Sequence, residues 1–252
     1  MKKTILQIIL LITIFGCKKT EPEKLTIATA ANMQFVMKEL ITSFEEQSGV
    51  ACDAVVSSSG KLSAQIREGA PFDVFVSADM KYPTELFDEG LTEAAPEAYA
   101  YGRLVLWSII DSTDVSIEKL TGNEIKHIAL ANPKTAPYGN AAIEVLRYNG
   151  IYEAVEEKLV FGESISQTNQ FVVSSAAEAG FTSKSVVLSP GMKARGRWVA
   201  IDPNIHTPIT QGVVILKNNR NMFEEAQKFY NFLFSDKGRE ILRQFGYTAI
   251  AK

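Results

Sequence analysis

VACDAVVSSSGKLSAQIREGAPFDVFVS, residues 50–77, holds the pattern that decides the fold. Val50 to Val56 has the short, apolar-rich make-up of a strand, and Ser57-Ser58-Ser59-Gly60 is a polar turn. Leu62 and Ile66 mark one face of a short helix that opens at Gly60 or Lys61 and stops at Gly69. Val74 to Ser77 is then a second apolar strand. A helix placed between two strands lets them run side by side in one direction, and apolar strands of this kind need cover on both faces.

The same alternation extends both ways. Upstream, Leu25 to Ala28 reads as a strand, and Val36, Met37, Leu40, Ile41 and Phe44 take the spacing of an amphipathic helix running from Met33 to Gly49, with Asn32 as its cap. Downstream, Tyr82 to Phe87 is a helix closed by Gly90, and Leu104 to Ile110 is a longer apolar run. Strands then fall at 125–130, 159–161, 179–182 and 198–201, with helices at 141–147 and 169–176. Thr207 to Leu216 is extended again. Two helices, 222–234 and 236–245, close the chain, with Ser235 as cap and Gly246 as stop. The expected architecture is α/β in two lobes, each a sheet flanked by helices, residues 24–104 with 208–252 forming one and 105–207 the other. Two long extended segments join them, so a cleft lies between.

Met1-Lys2-Lys3, the apolar run Ile5 to Phe15 and then Gly16-Cys17 form the three parts of an export signal. Residues 1–16 are expected to be removed, Cys17 to carry a lipid that anchors the chain to a bacterial membrane on its outer side, and 17–23 to act as a linker. The full chain has 252 residues and a net charge of −3; without Lys2 and Lys3 the count is 24 basic against 29 acidic residues, a net charge of −5. That balance offers no basic footprint for nucleic acid. Two cysteines give no disulfide framework, and Cys52 reads as a small core residue.

The strand-to-helix turns carry the chemistry. They are Ala30-Ala31-Asn32, Ser57 to Gly60, Pro137-Tyr138-Gly139-Asn140 and Ser164-Ile165-Ser166. A helix N-terminus leaves its first amides unpaired and carries roughly half a positive charge, so such turns hold anions without Lys or Arg. Enzyme motifs are missing. His127 and His206 stand near no G-x-S-x-G elbow and at no zinc-ligand spacing, and Gly60-Lys61 lacks the rest of a phosphate-binding loop. Asp73 and Asp79 read as turn or cap residues, and Lys61 as a solvated side chain.

Thr26 to Asn32, Ser58 to Ile66, Gly69 to Asp79, Asn132-Pro133, Ala136 to Gly139, Gly180 to Ser183 and Phe245-Gly246-Tyr247 together resemble the molybdate-binding proteins of bacterial molybdate transporters, in the same order along the chain. The resemblance implies a type II periplasmic binding protein, hinged near 103–107 and 207–213, that captures molybdate or tungstate and delivers it to an ATP-driven permease. It places the oxyanion contacts on Ala31, Asn32, Ser59, Tyr138, Ile165 and Ser183, several through backbone amides. Asn32, Ser59, Tyr138 and Ile165 would touch the oxygens of the anion and not its metal atom. No cofactor, no catalysis and a monomeric state are expected. Sulfate, thiosulfate or another tetrahedral oxyanion is the alternative ligand; a lipid-anchored hydrolase with Ser59 as nucleophile is the remote one.

Overall fold

The computed structural model describes residues 23–111, 115–218 and 220–251, so the export signal and Cys17 lie outside the described residues. The chain begins with β1 (Leu25–Ala30), α1 (Gln34–Ser48), β2 (Cys52–Ser57), α2 (Ser59–Arg67), β3 (Val74–Val76), α3 (Lys81–Asp88) and β4 (Glu97–Tyr101). It continues through β5 (Leu104–Ser108), β6 (Ile128–Ala131), α4 (Pro137–Tyr148), α5 (Tyr152–Val155), β7 (Leu159–Gly162), α6 (Ile165–Val173), β8 (Ala179–Ser183), α7 (Lys184–Val187) and β9 (Arg197–Ala200). It ends with β10 (Thr210–Ile215), α8 (Phe223–Leu233), α9 (Asp236–Gln244) and β11 (Thr248–Ala249). The strands form two sheets, one in the order β11-β4-β10-β3-β1-β2 and one in the order β7-β6-β8-β5-β9.

Within residues 50–77 the strand, helix and strand are present and the strands run in one direction, but β2 and β3 are not side by side: β1 lies between them and pairs in parallel with both. Side chains alternate across the strands. Leu25, Ile27, Val74 and Val76 pack with α1, α8 and α9, while Ala28 and Phe75 pack with Leu62 and Ile66 of α2 and Leu86 of α3. Both faces are therefore covered by helices, as apolar strands require. The sheets are mixed, however, and not wholly parallel. The chain leaves the first sheet after β4, crosses at Gly102 and Arg103, and comes back across residues 201–209. The returning β10 enters from the opposite end and pairs antiparallel with β3 and β4. For the same reason β5 runs antiparallel to β8 and β9.

Several boundaries differ from the sequence reading, each for a local reason. Ala31–Met33 makes a turn of 3-10 helix, α1 opens at Gln34, and Asn32 makes no cap bond, because its side chain is directed inward. α4 opens at Pro137, where a missing N–H costs nothing at the first helical position. α6 opens at Ile165, well before Asn169, because Ser164 caps it by accepting from Gln167 N–H. β4, β11 and the short α5 and α7 went unread: they are brief or, like Glu97-Ala98-Tyr99-Ala100-Tyr101, poor in β-branched residues. Gly49 (φ 71°) and Gly246 (φ 82°) end their helices in the left-handed conformation as read, and Ser235 caps α9 through Gly238 N–H at 3.1 Å.

The remaining singled-out residues fall into place. Asp73 is buried and accepts from Thr26 N–H at 2.7 Å beside Arg220; Asp79 accepts from Ser77 Oγ and from Tyr82 N–H at the start of α3. His127 is on the surface beside Glu178, and His206 is packed inside. Cys52 is buried at the start of β2, and burial, aided by Glu45, Asp53 and Asp73, pushes its thiol up to about 12. A thiol so raised is a poor nucleophile. In a Cys17→Ser protein, Ellman's reagent at pH 8 should therefore label nothing until denaturant is added; stoichiometric labelling of the folded protein would contradict the buried placement. Among the described residues, no helix is long and apolar enough to cross a membrane.

Candidate functional site

The four turns singled out in the sequence meet between the two sheets. A small pocket is lined by Ala30, Ala31, Asn32, Ser58, Ser59 and Ala78 from the first lobe and by Ala136, Pro137, Tyr138 and Ile165 from the second. The first set follows β1, β2 and β3; the second stands at the openings of α4 and α6. This is where ligands sit in α/β sheets, beyond the carboxyl ends of the strands. No lining residue is acidic or basic.

Each turn leaves a particular amide for the pocket. In α2, Gly60 N–H bonds Thr135 O and Leu62 N–H bonds Ser58 O, so the Ser59 amide has no partner in its helix. In α4, Pro137 has no N–H, while Gly139 and Asn140 both donate to Ala136 O; Tyr138 is left as the first free amide. Ile165 holds the same position in α6, ahead of Gln167 and Thr168, which are committed to Ser164. Ile165 packs its side chain against an apolar cluster that includes Ala30, Ala31 and Ala78, so its backbone is the part able to serve a polar ligand.

The side chains divide into those that face the pocket and those that hold it. Ser59 Oγ accepts from Ala78 N–H at 3.0 Å, which fixes its oxygen and leaves its own hydrogen to donate. Asn32 Nδ2 donates to Gln211 Oε1 at 2.8 Å and to Tyr247 Oη at 2.9 Å, and the Asn32 carbonyl accepts from Ser185 Oγ at 2.6 Å. Its side chain is thus a brace for the turn. Tyr138 Oη accepts from Ser183 Oγ at 3.2 Å, well away from the amide of the same residue. Burial, and then the neighbouring Tyr247, hold the Tyr138 hydroxyl far above its ordinary range, so it stays neutral. Ser183 is not among the lining residues: its hydroxyl caps α7 at Ser185 N–H and supports Tyr138 from behind. Of the six positions named from the sequence, Ala31, Asn32, Ser59, Tyr138 and Ile165 line one pocket and Ser183 stands in the layer beneath. Ser58 and Ala78 line it too; the run of three serines ahead of the helix was the available signal for the first, and nothing marked the second.

Contacts outside the pocket join the lobes. Gly60 N–H donates to Thr135 O at 3.0 Å, Tyr82 Oη to Lys134 O at 3.1 Å, and Ser166 Oγ to Gln34 Oε1 at 2.7 Å. Lys61, read from sequence as simply solvated, pairs with Glu163 across the cleft while both stay about half exposed. With the lobes so joined, Ser59 and Tyr138 are each only 1% exposed. Among the described residues no cluster of His, Cys, Asp or Glu could hold a metal ion.

These features have counterparts in known proteins. A model of the bacterial extracellular solute-binding protein family matches residues 25–248. The molybdate-binding protein ModA of Azotobacter vinelandii is 38% identical over 226 residues, covering 88% of each chain. The ModA of Rhodobacter capsulatus is 37% identical over 223 residues, 88% of this chain and 86% of that one. The solved periplasmic molybdate-binding protein of A. vinelandii superposes with a TM-score of 0.83 at 32% identity, covering 89% of this chain and 99% of the other. The chain belongs to the bacterial extracellular solute-binding protein family.

Proposed function

We propose that this chain captures molybdate or tungstate in the interlobe pocket and delivers it to the permease of an ATP-driven transporter. The observation that carries the reading is the lining itself: free helix-end amides and serine hydroxyls, buried, with no carboxylate among them. Molybdate at neutral pH is a bare tetrahedral dianion, and a site of donors satisfies all its oxygens. Monohydrogen phosphate brings an O–H that needs an acceptor, and burying that group without one costs about 1 to 3 kcal/mol. Sulfate is also a bare dianion but smaller. A cage set for longer bonds leaves its oxygens short of their donors, and two loosened charge-assisted bonds amount to roughly 100-fold or more.

The similarity to the two ModA proteins supports the same ligand and a permease partner. Residues 24–104 with 208–252 would form one lobe and 105–207 the other, hinged at the two crossings. Export and a lipid on Cys17 would keep the body at the outer face of the membrane, and a Cys17→Ser protein released into the medium would support the anchor. A hydrolase reading has little to stand on, since no histidine or carboxylate lines the pocket beside Ser59.

Calorimetric titration with molybdate, tungstate, sulfate and phosphate tests the proposal. Molybdate and tungstate should bind at least 100-fold more tightly than the other two; equal affinity for sulfate would overturn the choice of ligand. Ser59→Ala should weaken molybdate binding by about 1 to 3 kcal/mol, and should also lower the thermal midpoint of the free protein, because it leaves the Ala78 N–H without its acceptor. An unaltered titration curve for that variant would remove Ser59 from the site.

A further inference from the structure

Ser58 stands at the N-cap of α2 with extended backbone angles, φ −70° and ψ 149°. A serine there ordinarily turns its hydroxyl onto an amide in the first turn of the helix. Ser58 does not: it makes no side-chain cap bond, and its Oγ is buried with no hydrogen-bond partner among the described residues. The residue is 3% exposed and lines the pocket beside Ser59. Leaving a buried hydroxyl unpaired is unfavourable, and buried polar atoms are nearly always partnered. Among the described residues the other four buried side-chain atoms in this condition, on Thr29, His206, Gln211 and Arg239, belong to residues that do not line the pocket.

We infer that Ser58 Oγ is a further ligand of the oxyanion, donating its hydrogen to an anion oxygen next to the one held by Ser59. The inference rests on the oxyanion reading of the pocket and adds a residue to it. The two serines differ in how they are prepared. Ser59 Oγ is fixed by the Ala78 amide, whereas Ser58 Oγ has no protein partner among the described residues and takes the anion as one. Ser58 thereby offers the anion a donor for which no protein acceptor competes, and it favours a ligand with enough oxygens to reach one more donor.

Two measurements on Ser58→Ala, made on the whole chain, test this. The dissociation constant for molybdate should rise at least tenfold, as for the loss of a charge-assisted hydrogen bond. The thermal midpoint of the anion-free variant should stay equal to that of the parent or rise, because the substitution removes an unpaired polar atom. A lowered anion-free midpoint with unchanged affinity would mean that Ser58 is an ordinary helix cap and would overturn the inference. Unchanged affinity with an unchanged midpoint would overturn it as well. If the parent protein itself binds none of the tetrahedral oxyanions, the function proposed above fails; if the parent binds and Ser58→Ala binds equally, only this inference fails.

Discussion

A Gly139→Ala protein is expected to lose about 1 to 2 kcal/mol of stability and much of its anion binding along with it. A Cβ at this position would lie 2.0 Å from Ala131 O and 2.7 Å from Ala131 C, which are backbone atoms at the end of β6 and cannot swing aside. Alanine gains about 1 kcal/mol of helix propensity over glycine, but overpacking against fixed backbone costs about 1 to 3 kcal/mol and occasionally more, so the clash wins. Relief requires α4 to move away from β6, and the Tyr138 amide at the adjacent position moves with it. Urea unfolding should show a lower midpoint at an unchanged slope, and calorimetry should show at least a tenfold weaker site. A midpoint equal to that of the parent would contradict the close approach of helix and strand.

Gly102→Ala should act on a different step. Gly102 lies in the first crossing, its N–H donates to Ile209 O of the second crossing at 2.9 Å, and a Cβ on it would stand 2.1 Å from Tyr138 Oη. The tyrosine is wholly buried, with its hydroxyl held by Ser183, so it has little freedom to yield. Gly102 needs no left-handed backbone, so the substitution is tolerated by the chain between β4 and β5 and punishes chiefly the approach of Tyr138, with a lesser contact on Gln211 Nε2 at 2.9 Å. The expected outcome is a folded protein whose closed form is disfavoured by about 1 to 3 kcal/mol, with affinity reduced roughly 5- to 150-fold. Small-angle scattering should show the variant with saturating molybdate more extended than the parent under the same conditions. Identical profiles and identical affinities would show that closure does not pass through this contact.

Much of this site was legible in the sequence because it is made from local features. A polar turn ahead of an apolar helical pattern marks a helix N-terminus, and Ala31, Asn32, Ser59, Tyr138 and Ile165 all sit at such turns. The first β-α-β unit was legible for the same reason. What escaped depends on partners distant in the chain. Nothing in Thr210 to Ile215 says that this strand returns antiparallel between β3 and β4; that follows from the double crossing. The displacement of Ser183 into the supporting layer follows from the depth of Tyr138, and the inward turn of Asn32 from Gln211 and Tyr247, 179 and 215 residues away. The pairing of Lys61 with Glu163 is likewise a product of the lobes meeting, since neither residue has a local reason to be anything but solvated.

That meeting of the lobes has a kinetic meaning. The bonds from Gly60 to Thr135, Tyr82 to Lys134 and Ser166 to Gln34, with the Lys61–Glu163 pair, lie outside the pocket. An enclosed anion that bridges the lobes would leave only after these bonds, which form a gate, and its own bonds to one lobe break. Its residence time would combine a part common to every anion with a part that depends on the anion. Competing anions would share the contribution of the gate and differ in the bonds they themselves make across the two lobes. The one ionic bolt on that gate is half exposed and worth about 0 to 1 kcal/mol, so added salt should shorten residence for every anion alike by no more than about fivefold.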